Sequence, residues 1–130
     1  MTTASVPTEQ GRRRFEDKVV FITGAARGQG REAAVRFAAE GANVIGVDLA
    51  AQLESIPYPM ATPEDLATTV AQVEEVGGAM VSRVADVRDL AALEGAVAEG
   101  LERFGRLDMV VANAGVMATS LFTELSEAAW

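Results

Sequence analysis

Four short apolar runs alternate with three helical patterns along this chain, and that alternation limits the fold more than any other feature. The runs are KVVFIT (Lys18 to Thr23), NVIGVD (Asn43 to Asp48), AMVSRVAD (Ala79 to Asp86) and LDMVVANAG (Leu107 to Gly115). The first, second and fourth scarcely alternate in polarity, which is the pattern of parallel strands covered on both faces. Between the first two, Gly30, Ala33, Ala34, Phe37 and Ala38 share one helical face. Arg31, Glu32, Arg36 and Glu40 take the other side, and Gly41 is the expected stop. The second helix opens at TPED, with Thr62 as cap, Pro63 at the first helical position, and Glu64 and Asp65 at the positive end of the dipole. Leu66, Thr69, Val70 and Val73 form its inner stripe, and Gly77 and Gly78 end it. The third begins near Asp89, carries Leu90, Leu93, Val97, Leu101 and Phe104 on its inner face, and stops at Gly105. Strict alternation joined by right-handed crossovers predicts an α/β fold of three αβα layers. The expected strand order is 3-2-1-4, the first part of a doubly wound parallel sheet.

A chain of 130 residues, 49% apolar and 23% charged, is enough for one domain with one core. It contains no cysteine and no histidine, which excludes disulfides, thiolate nucleophiles, a histidine base, and zinc held by either residue. No metal site is expected, and a reducing, cytoplasmic setting fits. A formal charge of −8 argues against a nucleic-acid partner, since phosphate backbones are held by clustered Lys and Arg. No apolar run approaches the roughly 20 residues that span a bilayer, so no membrane partner is expected. Residues 1–14 lack the apolar stretch of a secretory signal and read as a disordered tail, in which Arg12, Arg13 and Arg14 are either a weak anion patch or, as the favoured reading, simply solvated. ELSEAAW reads as a helix start, with Ser126 as cap and Glu127 in the first turn, yet Trp130 follows at once. One turn cannot hold itself, and the fourth strand would be left as an apolar edge. Residues 15–130 are therefore expected to be the N-terminal portion of a longer doubly wound domain, cut at the start of the helix after the fourth strand.

The functional signal lies in TGAARGQG, Thr23 to Gly30, between the first strand and the first helix. Gly24 lets the chain turn out of the strand, Gly28 lets backbone approach a pyrophosphate, and Gly30 lets the helix pack close to the sheet, its N-terminus facing phosphate. Arg27 and Gln29 flank the same point. No Lys follows the glycines, so this is not an ATPase-type loop. Asp48, at the end of the second strand and twenty residues after Gly28, can accept hydrogen bonds from both ribose hydroxyls of an adenosine, with Leu49 beside it. Its charge repels a 2′-phosphate and favours NAD over NADP; Arg27 pulls the other way, but Asp48 has the better-defined position. Asp86 ends the third strand and Val87 follows it, where either the carboxylate or the Val87 amide meets adenine, or Asp86 simply forms a turn. Asn113 ends the fourth strand with an amide able to brace neighbouring backbone, and Ala114 and Gly115 keep the space beside the cofactor clear.

Together these motifs resemble the short-chain dehydrogenase/reductase family and its Rossmann sheet. TGAARGQG is similar to the family's T-G-x-x-x-G-x-G loop, ADVRD to its adenine-pocket motif, and ANAGV to its N-N-A-G motif with Ala112 in place of the first Asn. The resemblance covers about Lys18 to Trp130. The long connection LAAQLESIPYPMATPEDL after Asp48 is similar to that of the mycofactocin-associated subgroup, which includes carveol dehydrogenases. That resemblance implies a tightly held, non-exchanging NAD, electron transfer to mycofactocin, a small alcohol or ketone as substrate, and a homo-oligomer at full length. From the residues themselves, Ile56 to Met60 make either a stiff apolar lid over the adenosine half or a plain surface loop.

The family's chemistry uses a Tyr and a Lys four residues later, with a Ser before them. Here Tyr58 is the sole tyrosine and Lys18 the sole lysine, so no catalytic residue is expected within these 130. The expectation is the NAD-binding portion of an enzyme that moves hydride between an alcohol or ketone and the nicotinamide. The alternative is a nucleotide-binding module with no turnover of its own.

Overall fold

The computed structural model describes residues 13–130. Most of the expected tail lies outside the described residues. At its end, Arg14 pairs with Glu40, and the next residue, Phe15, packs against Phe37 with ring centroids 4.8 Å apart and planes tilted by 60°. The far end of the first helix offers both a carboxylate and an aromatic ring to Arg14 and Phe15.

In chain order the elements are β1 (Val19–Thr23), α1 (Gly28–Ala39), β2 (Asn43–Asp48), α2 (Pro63–Glu75), β3 (Met80–Val84), α3 (Leu90–Phe104) and β4 (Met109–Val111). All strand pairs are parallel, and the order across the sheet is β3-β2-β1-β4, as the alternation predicts. β1 is buried along its whole length, which explains its unbroken apolar run. Val20, Ile22 and Val44 face α1 and α2 in one core layer. Val19, Phe21, Ile45 and Val47 face α3 in the other.

The helix signals have visible causes. Thr62 accepts from the Asp65 amide while Asp65 accepts from the Thr62 amide, a reciprocal capping box with Pro63 in the first turn. Asp89 caps α3 by accepting from the Ala92 amide at 3.1 Å. The face of α3 departs from expectation. Ala96 and Gly100 are its buried residues, flanked by Leu93, Val97 and Phe104, whereas Leu90 is 68% and Leu101 42% exposed. The helix lies closest to the sheet at Gly100, where a Cβ would come within 2.1 Å of Ile45 Cδ1. At 100° per residue, Leu90 and Leu101 sit roughly 80–100° around from Gly100, on one flank.

β4 is shorter than the apolar run LDMVVANAG. Its ladder ends at Val111 because the amides of Asn113 and Ala114 both donate to Thr23 Oγ1, each at 3.1 Å, instead of to a neighbouring strand. β4 is an edge strand with Val110 61% exposed. Beyond it, Ser126 accepts from the Ala129 amide, so the expected cap forms, on a single 3₁₀ turn (Glu127–Ala129). Among the described residues, no helix is long and apolar enough to cross a membrane.

Candidate functional site

The strand order places a crevice at the carboxyl ends of β1 and β4, where the connections leave the sheet on opposite faces. A cavity of about 530 Å³ opens there. It is lined by Gly24, Arg27, Gly28 and Gln29 from the loop and the start of α1, and by Asp48 and Leu49 after β2. Asp86 and Val87 after β3, and Asn113, Ala114 and Gly115 after β4, complete the rim. Of the residues expected at the cofactor, only Gly30 does not line it. Gly30 is buried behind the loop, where a Cβ would meet Gly24 O at 1.9 Å and Asn113 Nδ2 at 2.8 Å.

Gly24 has φ +69° and passes so near Ala114 that a Cβ would lie 2.8 Å from its Cα. Gly28 has φ +58° but faces open space, with nothing within 4 Å of a Cβ. The first glycine is thus required by the protein, and the second leaves a clear backbone face on the cavity. Arg27, at the N-cap of α1, makes no side-chain cap, and no acidic residue stands in the first turn. The leading amides and the positive end of the helix dipole are therefore offered to the cavity.

Asp48 does more than the sequence shows. Its Oδ2 accepts from the Ala26 amide and its Oδ1 from the Ala50 amide, both at 3.0 Å. It holds the glycine loop on one side and the turn after β2 on the other. A carboxylate offers about four acceptor positions, so two remain for ribose hydroxyls. Asn113 behaves as its amide chemistry suggests: Nδ2 lies 3.2 Å from both Thr23 O and Gly24 O, tying β4 to the start of the loop.

Asp86 forms the turn that was one of its two readings, accepting from the Arg88 amide at 2.9 Å. It also takes a forked hydrogen bond from the Arg88 guanidinium, which holds its carboxyl down at about 2. Arg88, which also lines the cavity, was not singled out from sequence; its position two residues beyond a turn-forming Asp was the available signal.

The connection from Leu49 to Thr62 is ordered by a residue the sequence reading passed over. Gln52 Nε2 lies within reach of the carbonyls of Leu53 (3.2 Å), Ile56 (3.2 Å) and Tyr58 (3.0 Å), and its Oε1 accepts from the Met60 amide at 2.9 Å. Nothing in LAAQLESIPYPM sets Gln52 apart from Glu54 and Ser55, its polar neighbours. Ile56 is buried, and Ile56, Tyr58 and Met60 line the cavity. Two bonds tie this segment across the opening: Arg27 Nη1 donates to Pro59 O at 2.8 Å, and the Met117 amide donates to Tyr58 Oη at 2.9 Å. Lys18, by contrast, precedes β1 and lies at the opposite end of the sheet, so the sole lysine and the sole tyrosine do not meet.

Comparison with known proteins agrees with this geometry. Residues 18–130 match the family model for short chain dehydrogenase. An uncharacterized oxidoreductase of Mycobacterium tuberculosis is 60% identical over 104 residues, which are 80% of this chain and 38% of that protein. The (-)-trans-carveol dehydrogenase of Rhodococcus erythropolis is 47% identical over 103 residues, 79% of this chain and 37% of that protein. The crystal structure of carveol dehydrogenase from Mycobacterium avium in complex with NAD superposes with a TM-score of 0.86 at 47% identity, covering 90% of this chain and 43% of that one. The chain thus spans about two fifths of the length of the relatives it matches. On the match over nearly its whole length, together with the glycine loop and sheet order, this chain belongs to the short-chain dehydrogenase family.

Proposed function

We propose that residues 15–130 are the NAD-binding portion of an oxidoreductase that moves hydride between a small alcohol or ketone and the nicotinamide. The observation that carries this reading is the convergence of four separate segments on one cavity at the switch in strand order. The residues fit the cofactor. Gly28 leaves a clear backbone face, the uncapped start of α1 supplies amides for pyrophosphate, and Asp48 keeps two acceptor positions for ribose. Asp86 and Val87 stand at the adenine end, and Asn113, Ala114 and Gly115 at the nicotinamide-side ribose. When bound, NAD supplies the hydride-accepting carbon; the chain's own residues bind it, orient it and exclude water around it.

The carboxylate of Asp48 favours NAD over NADP because it leaves no counter-charge for a 2′-phosphate. Arg27 donates from Nη1 to Pro59 O, so one arm of its guanidinium is engaged with the lid. The segment from Leu49 to Thr62 acts as a lid that slows cofactor exchange, supported by its two ties across the opening. With NAD retained in this way, the electrons leave through a second carrier, for which mycofactocin is our candidate. The acid–base step belongs to residues outside these 130, since Tyr58 and Lys18 lie at opposite ends of the sheet. The full-length enzyme is proposed to be a homo-oligomer.

Calorimetric titration tests the core of this reading. NAD binding at least tenfold tighter than NADP binding is expected, with NAD retained through gel filtration. Equal affinity for the two dinucleotides, or no binding of either, overturns it.

A further inference from the structure

Arg31 lies on the side of α1 that the sequence pattern assigns to solvent, yet its guanidinium is turned inward against α2. Nη2 donates to Ala26 O at 2.6 Å and to Asp65 O at 2.9 Å, and Nε donates to Thr69 Oγ1 at 3.0 Å. Thr69 is completely buried on α2, and its hydroxyl donates to Ala25 O at 2.8 Å. Neither residue lines the cavity, and neither belongs to the motifs from which the site was read.

The consequence follows from the planarity of the peptide bond, in which C=O and N–H point in opposite directions. In the peptide joining Ala25 to Ala26, the carbonyl is held by Thr69 and the amide by Asp48 Oδ2. One plane is therefore pinned at both ends, from α2 and from β2. In the next peptide, Arg31 holds the carbonyl of Ala26, so the Arg27 amide faces the opposite way. Arg27, Gly28 and Gln29 follow in order along the cavity wall, at the uncapped start of α1. Two side chains behind the loop thus set the direction of the first amide in front of it.

We propose that Arg31 and Thr69 are positioning residues for the pyrophosphate of the dinucleotide, aiming the loop amides through the carbonyls of Ala25 and Ala26. The proposal rests on the NAD reading above and deepens it. It also gives α2 a role beyond covering the sheet, because the helix that follows the long insertion is the strut behind the phosphate loop. Asp65 links the two functions, since its side chain completes the capping box of α2 while its carbonyl receives Arg31.

The test separates phosphate recognition from general integrity by comparing ADP, which carries the pyrophosphate, with adenosine, which does not. Both are titrated in competition with NAD against the protein and its variants, with melting temperature recorded in parallel. Thr69→Val keeps the shape and removes the hydroxyl; Arg31→Lys keeps the charge and removes the fork. Each is expected to weaken ADP and NAD about tenfold, with adenosine unchanged within about twofold. Thr69→Ser, which restores the hydroxyl, is expected to bind ADP as the unaltered protein does. Unchanged ADP affinity in Arg31→Lys, or parallel loss of ADP and adenosine, overturns the proposal. If Thr69→Val does not fold, Arg31→Lys decides alone, because that side chain is partly exposed. Failure of the unaltered protein to bind ADP or NAD overturns the underlying NAD reading as well, whereas NAD binding that ignores both substitutions overturns only this inference.

Discussion

Replacing Asp48 by Asn separates the two duties that one carboxylate carries. In the protein, Oδ1 and Oδ2 each accept a backbone amide at 3.0 Å, from Ala50 and Ala26. An asparagine has one acceptor oxygen, so in either orientation its NH2 confronts an amide that also donates. One charge-assisted hydrogen bond of about 1.5–3 kcal/mol is lost, and water at this half-buried site recovers part of it, leaving about 1–2 kcal/mol. At about 4 °C per kcal/mol for a domain of this size, the melting midpoint falls by about 4–8 °C. On the ligand side, one ribose hydroxyl loses a charged acceptor, which weakens NAD by about 10–100-fold. Removal of the negative charge also raises the ratio of NADP to NAD affinity. Calorimetry with both dinucleotides and a thermal melt without ligand give the quantities needed. A lowered midpoint with unchanged NAD affinity and unchanged dinucleotide preference would refute the ribose assignment and leave Asp48 as a brace alone.

Gly30→Ala sets a helix gain of about 1 kcal/mol against a Cβ 1.9 Å from the Gly24 carbonyl oxygen, a backbone atom that cannot swing aside. The clash wins, with an expected loss of about 3 kcal/mol in denaturant unfolding; equal or greater stability would contradict the observed packing. Gln52→Ala removes the side chain that organises the lid, and release of bound NAD, followed by fluorescence in a chase with unlabelled cofactor, should speed up about tenfold or more. An unchanged rate would mean that this segment does not govern exchange. Asp86 gives a pH dependence: its carboxyl is lowered from an ordinary 3.8 to about 2 by Arg88. The contribution to stability is present above pH 3.8 and is lost as pH falls through about 2. The stability difference between the protein and Asp86→Asn should therefore narrow between pH 4 and pH 2, and a constant difference would show that the pair contributes nothing.

The parts of this protein that are local in sequence were legible from it. The apolar run of β1 is buried on both faces, and Thr62, Pro63 and Asp65 form the cap that their order suggests. The cofactor-site candidates, chosen by position at strand ends, converge because parallel strands deliver all their carboxyl ends to one edge. What could not be read depends on a partner distant in the chain. Arg31 looks like a solvent-facing residue until Thr69 and the Asp65 carbonyl come alongside it. Leu90 and Leu101 fit an amphipathic stripe by period, but Gly100 against Ile45 decides which line of α3 touches the sheet. β4 ends early because the Thr23 hydroxyl, some ninety residues upstream, captures the amides that would continue its ladder.

That bond between Thr23 and Asn113 also sets a timetable. The phosphate loop is made early, but the strand that braces it emerges 90 residues later. At about 5–20 residues per second, a nascent chain carries TGAARGQG for roughly 5–20 s before Asn113 exists to hold it. During that interval β1 has no neighbour on its β4 side, and pairing across so long a loop is intrinsically slow. The cofactor pocket therefore takes shape only once β4 has emerged, long after the loop itself.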